Sequence, residues 1–276
     1  METIYKNNAV AYVKYTVYGR LIPNSLTVGT SIPKDTNKTM YRQVPIYIDS
    51  QDFVNLPSVV ICNKTWTNAN LDVTTYRNGD VIPQVTDTTE WANLTTGAWC
   101  YPNNDPALGA IYGKFYNHYA VTDPRGLAPD GWHIPVVEEW LSLVPCTGGH
   151  GLINPGEMTY QFVGGTGPAI KEVGTAHWTS PNVATNSTGF TALGTGVRRG
   201  DDGYFDGGSF NIGNPYPELP PYWDTWFWSK EVYSSIPGFR VPTAVAFFTV
   251  SDGDIYQRGF LPETWGCSVR LIKDLI

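Results

Sequence analysis

Three aspartates stand close together in a glycine-rich stretch of the sequence, at Asp201, Asp202 and Asp206. Carboxylate oxygens on a flexible loop are ligands that calcium prefers in proteins. Their spacing differs from that of an EF-hand loop, which needs further alternating oxygen ligands and a closing glutamate. The stretch therefore predicts either a calcium site or, as the more ordinary interpretation, a solvated acidic turn.

A second group that could bind a ligand is aromatic and lies in the proline-rich stretch of residues 217–226. Proline-stiffened loops that display aromatic rings lower the entropy cost of binding, and aromatic faces stack well on the C–H faces of sugars. We predict Tyr216, Tyr222 and Trp223 as an exposed contact surface. The alternative is that these rings cover the core, because Trp is highly buried on average.

Catalytic and metal chemistry find little support in the sequence. His133 follows Trp132 in a tight Asp-Gly turn, and we interpret it as a packed histidine bonded to backbone, with a ligand or base as the alternative. His118, His150 and His177 lack the spacing of a zinc site. The chain has no GxSxG nucleophile motif, so we predict no enzyme activity, no catalytic residue and no cofactor, and no metal other than the calcium candidate at Asp201, Asp202 and Asp206.

Composition excludes several classes of protein. The chain has 276 residues and a net charge of −7, so the positive surface of a nucleic-acid binder is missing. Its longest apolar stretch, residues 241–250, is far shorter than the roughly 20 residues that span a bilayer. The N-terminus has no basic or apolar region typical of a signal peptide, so we expect no general secretory export if this Met is the native start.

The order of predicted elements indicates an α+β fold. Strands are predicted at residues 9–18 and 44–48, in a hairpin of residues 59–62 and 64–66, and at residues 226–228, 244–250 and 267–272. Helices are predicted at residues 111–120 and 136–143, the second ended by Pro145, and residues 146–225 are predicted to be irregular. Residues 1–48 are too short to bury much surface alone, so we predict a β-rich extension or anchor, followed by a domain at residues 49–276.

Residues 59–274 carry a series of motifs in order. They include Val60-Ile-Cys-Asn-Lys-Thr-Trp66, Asn70-Leu-Asp-Val-Thr-Thr-Tyr76, Trp91-Ala-Asn-Leu-Thr-Thr-Gly-Ala98, Pro129-Asp-Gly-Trp-His-Ile-Pro135 and Gly266-Cys-Ser-Val-Arg-Leu-Ile-Lys-Asp274. With these motifs the chain resembles the Fibrobacter succinogenes major paralogous domain family, which is common in Bacteroidetes. The resemblance implies a C-type lectin-like fold in which Trp226 and Trp228 occupy core positions. The first 48 residues lie outside it.

The cysteines depart from the family pattern. Relatives often carry one Cys before the Pro-x-Gly-Trp-His motif and another after the late Val-Arg, where this chain has Ala128 and Leu271. Both are absent together, as expected if they pair in exported relatives. The four cysteines present, Cys62, Cys100, Cys146 and Cys267, form no CxxC motif. We therefore expect four free thiols and assembly in a reducing cytoplasm.

The leading hypothesis for function is a non-enzymatic structural or adhesion protein of a virion, from a phage that infects Bacteroidetes. It would be a head fibre, capsid decoration, tail fibre or tail-associated adhesin that presents a lectin-like surface to a host glycan or protein. Residues 1–48 would dock on other virion proteins, and we expect a homo-oligomer without nucleic-acid binding or membrane insertion. The alternative is a secreted or surface-anchored bacterial adhesin. A formylglycine-generating type of enzyme, which shares the lectin-like fold, is a remote alternative because it relies on a reactive cysteine pair and this chain has only Cys267 near its end.

Overall fold

The computed structural model divides the chain into two units, Met1–Phe53 and Val54–Ile276. It describes residues 2–7, 10–15, 40–44, 56–154, 159–206, 224–236, 239–248, 255–258 and 261–274. The predicted boundary after residue 48 lies outside these ranges and stays a prediction.

The first unit contains one antiparallel sheet of three strands in the order β1-β2-β3. The strands are β1 (Glu2–Asn7), β2 (Val10–Tyr15) and β3 (Met40–Val44). β2 lies inside the strand predicted at residues 9–18 and confirms it. β3 ends where the second predicted strand begins, and residues 45–48 of that prediction lie outside the described residues.

Short strands make up most of the second unit. They are β4 (Ser58–Ile61), β5 (Lys64–Thr67), β6 (Trp99–Cys100), β7 (Phe115–Asn117), β8 (Trp132–His133), β9 (Gly149–Asn154), β10 (Thr159–Gly164), β11 (Val197–Arg198), β12 (Phe205–Asp206), β13 (Asp224–Ile236), β14 (Phe239–Phe248), β15 (Ile255–Arg258), β16 (Gly266–Cys267) and β17 (Ile272–Lys273). They form three sheets, in the orders β4-β5-β17-β8, β12-β11-β16-β7-β6 and β13-β14-β15-β10-β9. The last strands of the chain therefore pair with strands near the start of the unit.

Among the residues that the structure describes, few helices accompany these sheets, and these helices are short. They are α1 (Thr88–Ala92), α2 (Pro106–Tyr112), α3 (His118–Val121), α4 (Val137–Leu141), α5 (Leu143–Cys146) and α6 (Thr166–Ile170). In the part of the chain that the structure describes, no helix has the length and apolar character that crossing a membrane requires. The fold is thus mixed helix and sheet with sheets predominating, which confirms the coarse part of the predicted α+β class.

The predicted hairpin forms between β4 and β5, with Ile61 opposite Lys64. Its two turn residues, Cys62 and Asn63, have φ angles of 54° and 62°. Positive φ at both central residues is the geometry of a type I′ turn, whose twist matches that of the flanking strands. The turn places the Cys62 side chain at the tip of the hairpin.

The two predicted helices differ from the observed ones. Residues 111–120 do not form one helix, because Gly113 adopts a φ of 72° and ends α2, and Phe115–Asn117 then forms β7 between β6 and β16. The predicted helix at residues 136–143 becomes α4 and α5, and Pro145 lies inside α5 rather than beyond its end. Proline is tolerated there because the backbone N–H groups in the first turn of a helix have no intrahelical carbonyl to bond, so the N–H that proline lacks costs no hydrogen bond.

The described part of residues 146–225 is more regular than the sequence predicts, since it contains β9, β10, α6, β11 and β12. β9 and β10 pair antiparallel over six residue pairs, from Gly149 opposite Gly164 to Asn154 opposite Thr159. The glycines in this part of the sequence argue against strands, so these strands were not predicted. Strand propensity depends mainly on how side chains pack against neighbours, which the local sequence does not contain.

The start of β13 joins two parts of the core. Trp226 and Trp228 are buried in one hydrophobic cluster and Phe227 is buried in another. Successive side chains of a strand point to opposite faces, so three consecutive aromatic residues fill both sides. The predicted structural role of Trp226 and Trp228 is confirmed, since they are 3% and 0% exposed.

Candidate functional site

The predicted contact residues Tyr216, Tyr222 and Trp223 lie outside the described residues, in the segment 207–223. The structure describes both flanks of that segment, and both are attached to β11. Asp206 in β12 pairs with Val197, and the Gly196 amide donates to the Asp224 carbonyl at 3.1 Å. The described residues on the two sides of that segment therefore lie beside the same strand. We call residues 196–206 and 224–226 the loop base.

Arg198 holds the loop base in place from the interior of the domain. Its guanidinium is fully buried and donates to four backbone carbonyls, those of Val85 at 2.6 Å, Thr86 at 2.9 Å, Asp87 at 3.0 Å and Gly203 at 2.9 Å. It also lies 4.3 Å from the centre of the Trp91 ring. An arginine fork that satisfies several carbonyls holds irregular backbone in one arrangement.

Residues 224–226 of the loop base are held by buried polar contacts. Trp226 Nε1 donates to Asp224 Oδ2 at 2.6 Å, and the hydroxyls of Thr195 and Thr225 lie 2.8 Å apart. Buried polar groups that find partners rigidify the surrounding structure. Both flanks of the predicted contact segment are thus anchored in the core.

The acidic turn carries the calcium candidates Asp201, Asp202 and Asp206. Arg199 pairs with Asp201 at 3.2 Å and with Asp202 at 2.8 Å, and the hydrogen bond from Arg199 lowers the pKa of the Asp201 carboxyl. Within the described ranges, no three His, Cys, Asp or Glu side chains converge as a metal site would require. The arginine supplies the positive charge that a cation would bring, and calcium binding here stays a prediction.

Gly203 allows the acidic turn to pack against α1, and its replacement is expected to be costly. Its φ is +73°, and an added Cβ would lie 2.1 Å from the carbonyl oxygen of Thr88. We expect Gly203→Ala to lower the free energy of unfolding by about 2–3 kcal/mol, measured by urea denaturation. Gly174→Ala is the control, because it has a φ of +88° but nothing within 4 Å, and we expect it to cost about 1 kcal/mol. Equal losses in the two variants would contradict the steric argument.

His133 lies in a network that the sequence did not reveal. Its Nδ1 is 2.6 Å from Asp274 Oδ1 and its Nε2 is 3.0 Å from Glu139 Oε2. Lys64 Nζ donates to the other oxygen of Glu139 at 2.8 Å. The prediction of a histidine bonded to backbone is wrong, because both ring nitrogens face carboxylates.

Glu139 and Glu231, which accept hydrogen bonds from the Val136 and Val137 amides, have pKa values shifted in opposite directions. Burial opposes ionisation of Glu139, but hydrogen bonds from Lys64, the Val136 amide and His133 outweigh it, and the pKa of this carboxyl is lowered. Burial raises the pKa of Glu231, and the nearby Glu138 raises it further against the hydrogen bond from the Val137 amide. Glu139 is therefore ionised at neutral pH and Glu231 holds its proton to a higher pH than an exposed glutamate.

The other described histidines have structural surroundings. His118 is buried, with Nε2 3.2 Å from the Ser229 carbonyl and its ring 4.8 Å from that of Trp228. His177 Nδ1 lies 2.8 Å from Glu172 Oε2. The side chain of His150 lies outside the described residues.

The prediction of four free thiols is wrong. A disulfide joins Cys62 and Cys146 across 84 residues, with Cα atoms 5.9 Å apart. It forms because the hairpin tip meets the end of α5, a contact that spacing along the sequence does not reveal. Cys100 and Cys267 are free and buried, and burial raises the pKa of Cys100 to about 11 and that of Cys267 well above its usual value. Protonated, buried thiols are poor nucleophiles.

Comparison with protein families identifies the second unit. The model of the Fibrobacter succinogenes major domain matches residues 59–273. The chain belongs to this family. The Fibrobacter succinogenes major domain thus begins in β4 and ends in β17, two strands that lie in one sheet on either side of β5. No curated protein and no solved structure matches the chain significantly.

The family domain includes the loop base and most of the histidine network. Ala128 and Leu271, which replace the paired cysteines of relatives, are both buried in the same hydrophobic cluster. Apolar side chains therefore fill the place where the resemblance implies a disulfide, and the disulfide of this chain lies elsewhere.

Proposed function

We propose that this chain is a non-enzymatic phage virion protein, a head fibre, capsid decoration or tail-associated adhesin, whose Fibrobacter succinogenes major domain has a C-type lectin-like fold. Residues 49–276 would present a binding surface to a host-cell glycan or protein. Residues 1–48 would attach the domain to other virion proteins within a homo-oligomer.

The geometry of the loop base carries this proposal. The described residues on either side of the aromatic segment both lie beside β11, held by Arg198 on one side and by Asp224 on the other. Binding residues are concentrated on loops that a rigid scaffold positions. A fixed base also reduces the entropy lost when the loop engages a ligand.

The chemistry around the loop base suits a sugar. Tyr204 is 40% exposed and lies between Asp202 and Asp206 in the acidic turn. Carboxylates accept hydrogen bonds from sugar hydroxyls, while aromatic faces cover their C–H surfaces. Together with Tyr216, Tyr222 and Trp223, these groups favour a glycan as the ligand.

Substituting both Tyr222 and Trp223 with alanine is expected to weaken attachment to host cells at least tenfold, because an exposed aromatic hot spot is often worth about 2 kcal/mol or more. The melting temperature should change little. Attachment is measured by binding of the purified chain to cells and to a glycan array. Ile111→Ala removes an apolar side chain that is 52% exposed on α2 and should leave attachment unchanged.

The opposite pattern, a large loss of stability with unchanged attachment, would show that these rings belong to the core. The binding site would then lie elsewhere on the domain.

A secreted or surface-anchored bacterial adhesin is the second candidate, and the Cys62–Cys146 disulfide favours it. Disulfides form and persist mainly in oxidising compartments and are rare in the cytosol. Mass spectrometry separates the two candidates: the virion proposal requires the chain in purified phage particles, whereas the adhesin requires it in outer-membrane or culture-supernatant fractions of uninfected bacteria.

A further inference from the structure

The Cys62–Cys146 disulfide lies at the surface of the domain. Cys146 is exposed and Cys62 is half-buried, whereas the two other cysteines, Cys100 and Cys267, are both 0% exposed. Thiol–disulfide exchange requires that a reagent reach the sulfur atom with which it reacts. The bonded pair is therefore open to redox reagents in the folded protein, and the two free thiols are shielded from them.

Contacts other than the disulfide also join the hairpin of β4 and β5 to the helices beside it. Lys64, two residues after Cys62, donates from Nζ to Glu139 Oε1 on α4 at 2.8 Å. The rings of Trp66 on β5 and Trp140 on α4 lie 5.0 Å apart. α5, which ends at the second cysteine of the pair, begins two residues after the end of α4. The hairpin and this pair of helices are thus held together by an ion pair and an aromatic contact as well as by the covalent bond.

The core beneath the disulfide positions both cysteines. Ile61 precedes Cys62 in the chain, and Leu143 and Val144 precede Cys146 on α5. These three apolar side chains are 5%, 0% and 5% exposed and belong to one hydrophobic cluster. Packing of the neighbours therefore brings the two cysteines to the separation that a disulfide needs, and their Cα atoms lie 5.9 Å apart. A bond between positions that the fold itself brings together does not have to guide folding.

We propose that the Cys62–Cys146 disulfide is a redox lock, a bond that closes on the domain after it has folded. The domain folds with both thiols reduced, and the bond forms when the folded protein meets an oxidising environment. The oxidant is a small-molecule disulfide, such as oxidised glutathione, or an enzyme that carries a reactive disulfide. Burial restricts the reaction to this pair of cysteines.

The closing reaction takes place in two exchange steps. The thiolate of the exposed Cys146 attacks the small disulfide, forms a mixed disulfide and releases one small thiolate. The thiolate of Cys62 then attacks the Cys146 sulfur, forms the protein disulfide and releases the second small thiolate. The two cysteine sulfurs give up two electrons to the small disulfide, and the two small thiolates take up the two protons that the cysteines lost.

The lock resolves a conflict between the disulfide and synthesis in a reducing compartment, where such bonds are rare. In a virion protein the bond would be open during assembly and closed after release of the particle. In an exported adhesin it would close during or after export. The inference goes beyond the proposed function and does not depend on it, because it concerns only the order of folding and bond formation.

The test starts from the full chain, reduced under native conditions and then separated from the reductant. We expect near-ultraviolet circular dichroism, which reports on the buried tryptophans, to keep its folded signal. The unfolding midpoint of the reduced chain should lie about 8–16 °C below that of the oxidised chain. Oxidised glutathione should then close the bond, and mass spectrometry after alkylation of the remaining thiols measures the rate. This rate should not increase at urea concentrations below the unfolding transition, because the folded chain is the reactant.

Two outcomes of this experiment would overturn the redox lock. One is a reduced chain that has lost its folded signal. The other is a closing rate that rises with urea in step with the unfolded population, since the bond would then form in the unfolded chain.

Three variants test the route of closure. In Cys62→Ala, oxidised glutathione should leave one stable mixed disulfide on Cys146, whereas in Cys146→Ala the reaction at the half-buried Cys62 should be severalfold slower. Cys62→Ala/Cys146→Ala is the control, in which the buried Cys100 and Cys267 should stay unmodified while the chain is folded. Equal rates in the two single variants, or glutathione on either buried cysteine, would contradict the selection of the reactive pair by exposure.

Discussion

Replacing Arg270 with methionine is expected to destabilise the domain by about 3–5 kcal/mol. The side chain is 1% exposed and donates to the carbonyls of Thr67, Phe190 and Thr191, each at 2.9 Å, and to Asn70 Oδ1 at 2.7 Å. Methionine fills much of the volume but leaves these oxygens without donors. Burial lowers the pKa of Arg270 to about 9, which still leaves it charged at neutral pH.

The loss of stability in Arg270→Met is measured by urea denaturation, and two further variants test its cause. Arg270→Lys should recover only part of the loss, because an ammonium group cannot reproduce the planar fork of a guanidinium. Arg125→Met is the control, since Arg125 pairs with Asp80 and Asp123 while its side chain stays 39% exposed. Surface pairs of this kind are worth about 0–1 kcal/mol. A loss of less than about 1 kcal/mol in Arg270→Met would contradict the role assigned to this residue.

Removing the Cys62–Cys146 disulfide is expected to lower the free energy of unfolding by about 4 kcal/mol. The bond closes a loop across 84 residues and so reduces the conformational entropy of the unfolded chain, and its removal restores that entropy. The double variant Cys62→Ala/Cys146→Ala should unfold at lower urea and ignore added reductant, whereas the wild type should respond to reductant. Thiol counting on the denatured, unreduced protein should find Cys100 and Cys267 only. Four reactive thiols would show that the bond does not form.

Local sequence signals predicted the parts of this fold that depend on neighbouring residues. The hairpin of β4 and β5 follows from two short β-rich runs at residues 59–62 and 64–66, whereas the burial of Trp228 was expected from the resemblance to the family. Helix α1 carried a usable signal as well. Asp87 accepts a hydrogen bond from the Glu90 amide at 2.8 Å, an N-cap with an acidic residue three positions later.

The parts that were missed depend on contacts between distant residues. The aromatic spacing of residues 111–120 suggested a helix, but Gly113 takes a positive φ and the following residues pair with β16 instead. The partners of His133 lie 6 and 141 residues away, so no local pattern brings them together. Of the candidate site, the sequence pointed to the acidic turn but not to Arg198, which holds it through Gly203, and the aromatic segment stays a prediction.

The way β16 and β17 close the domain has a consequence for its synthesis. Arg270 bonds to Asn70 and Thr67 across 200 and 203 residues of chain, and β17 pairs with β5 through Ile272 and Trp66. The core cannot be completed until residues 266–273 have left the ribosome, so the aromatic residues made before them stay uncovered until then. Folds dominated by such distant pairings also form slowly. The pairing of β16 and β17 is thus the closing step in the folding of this domain, and a chain cut before Gly266 would be unable to complete its core.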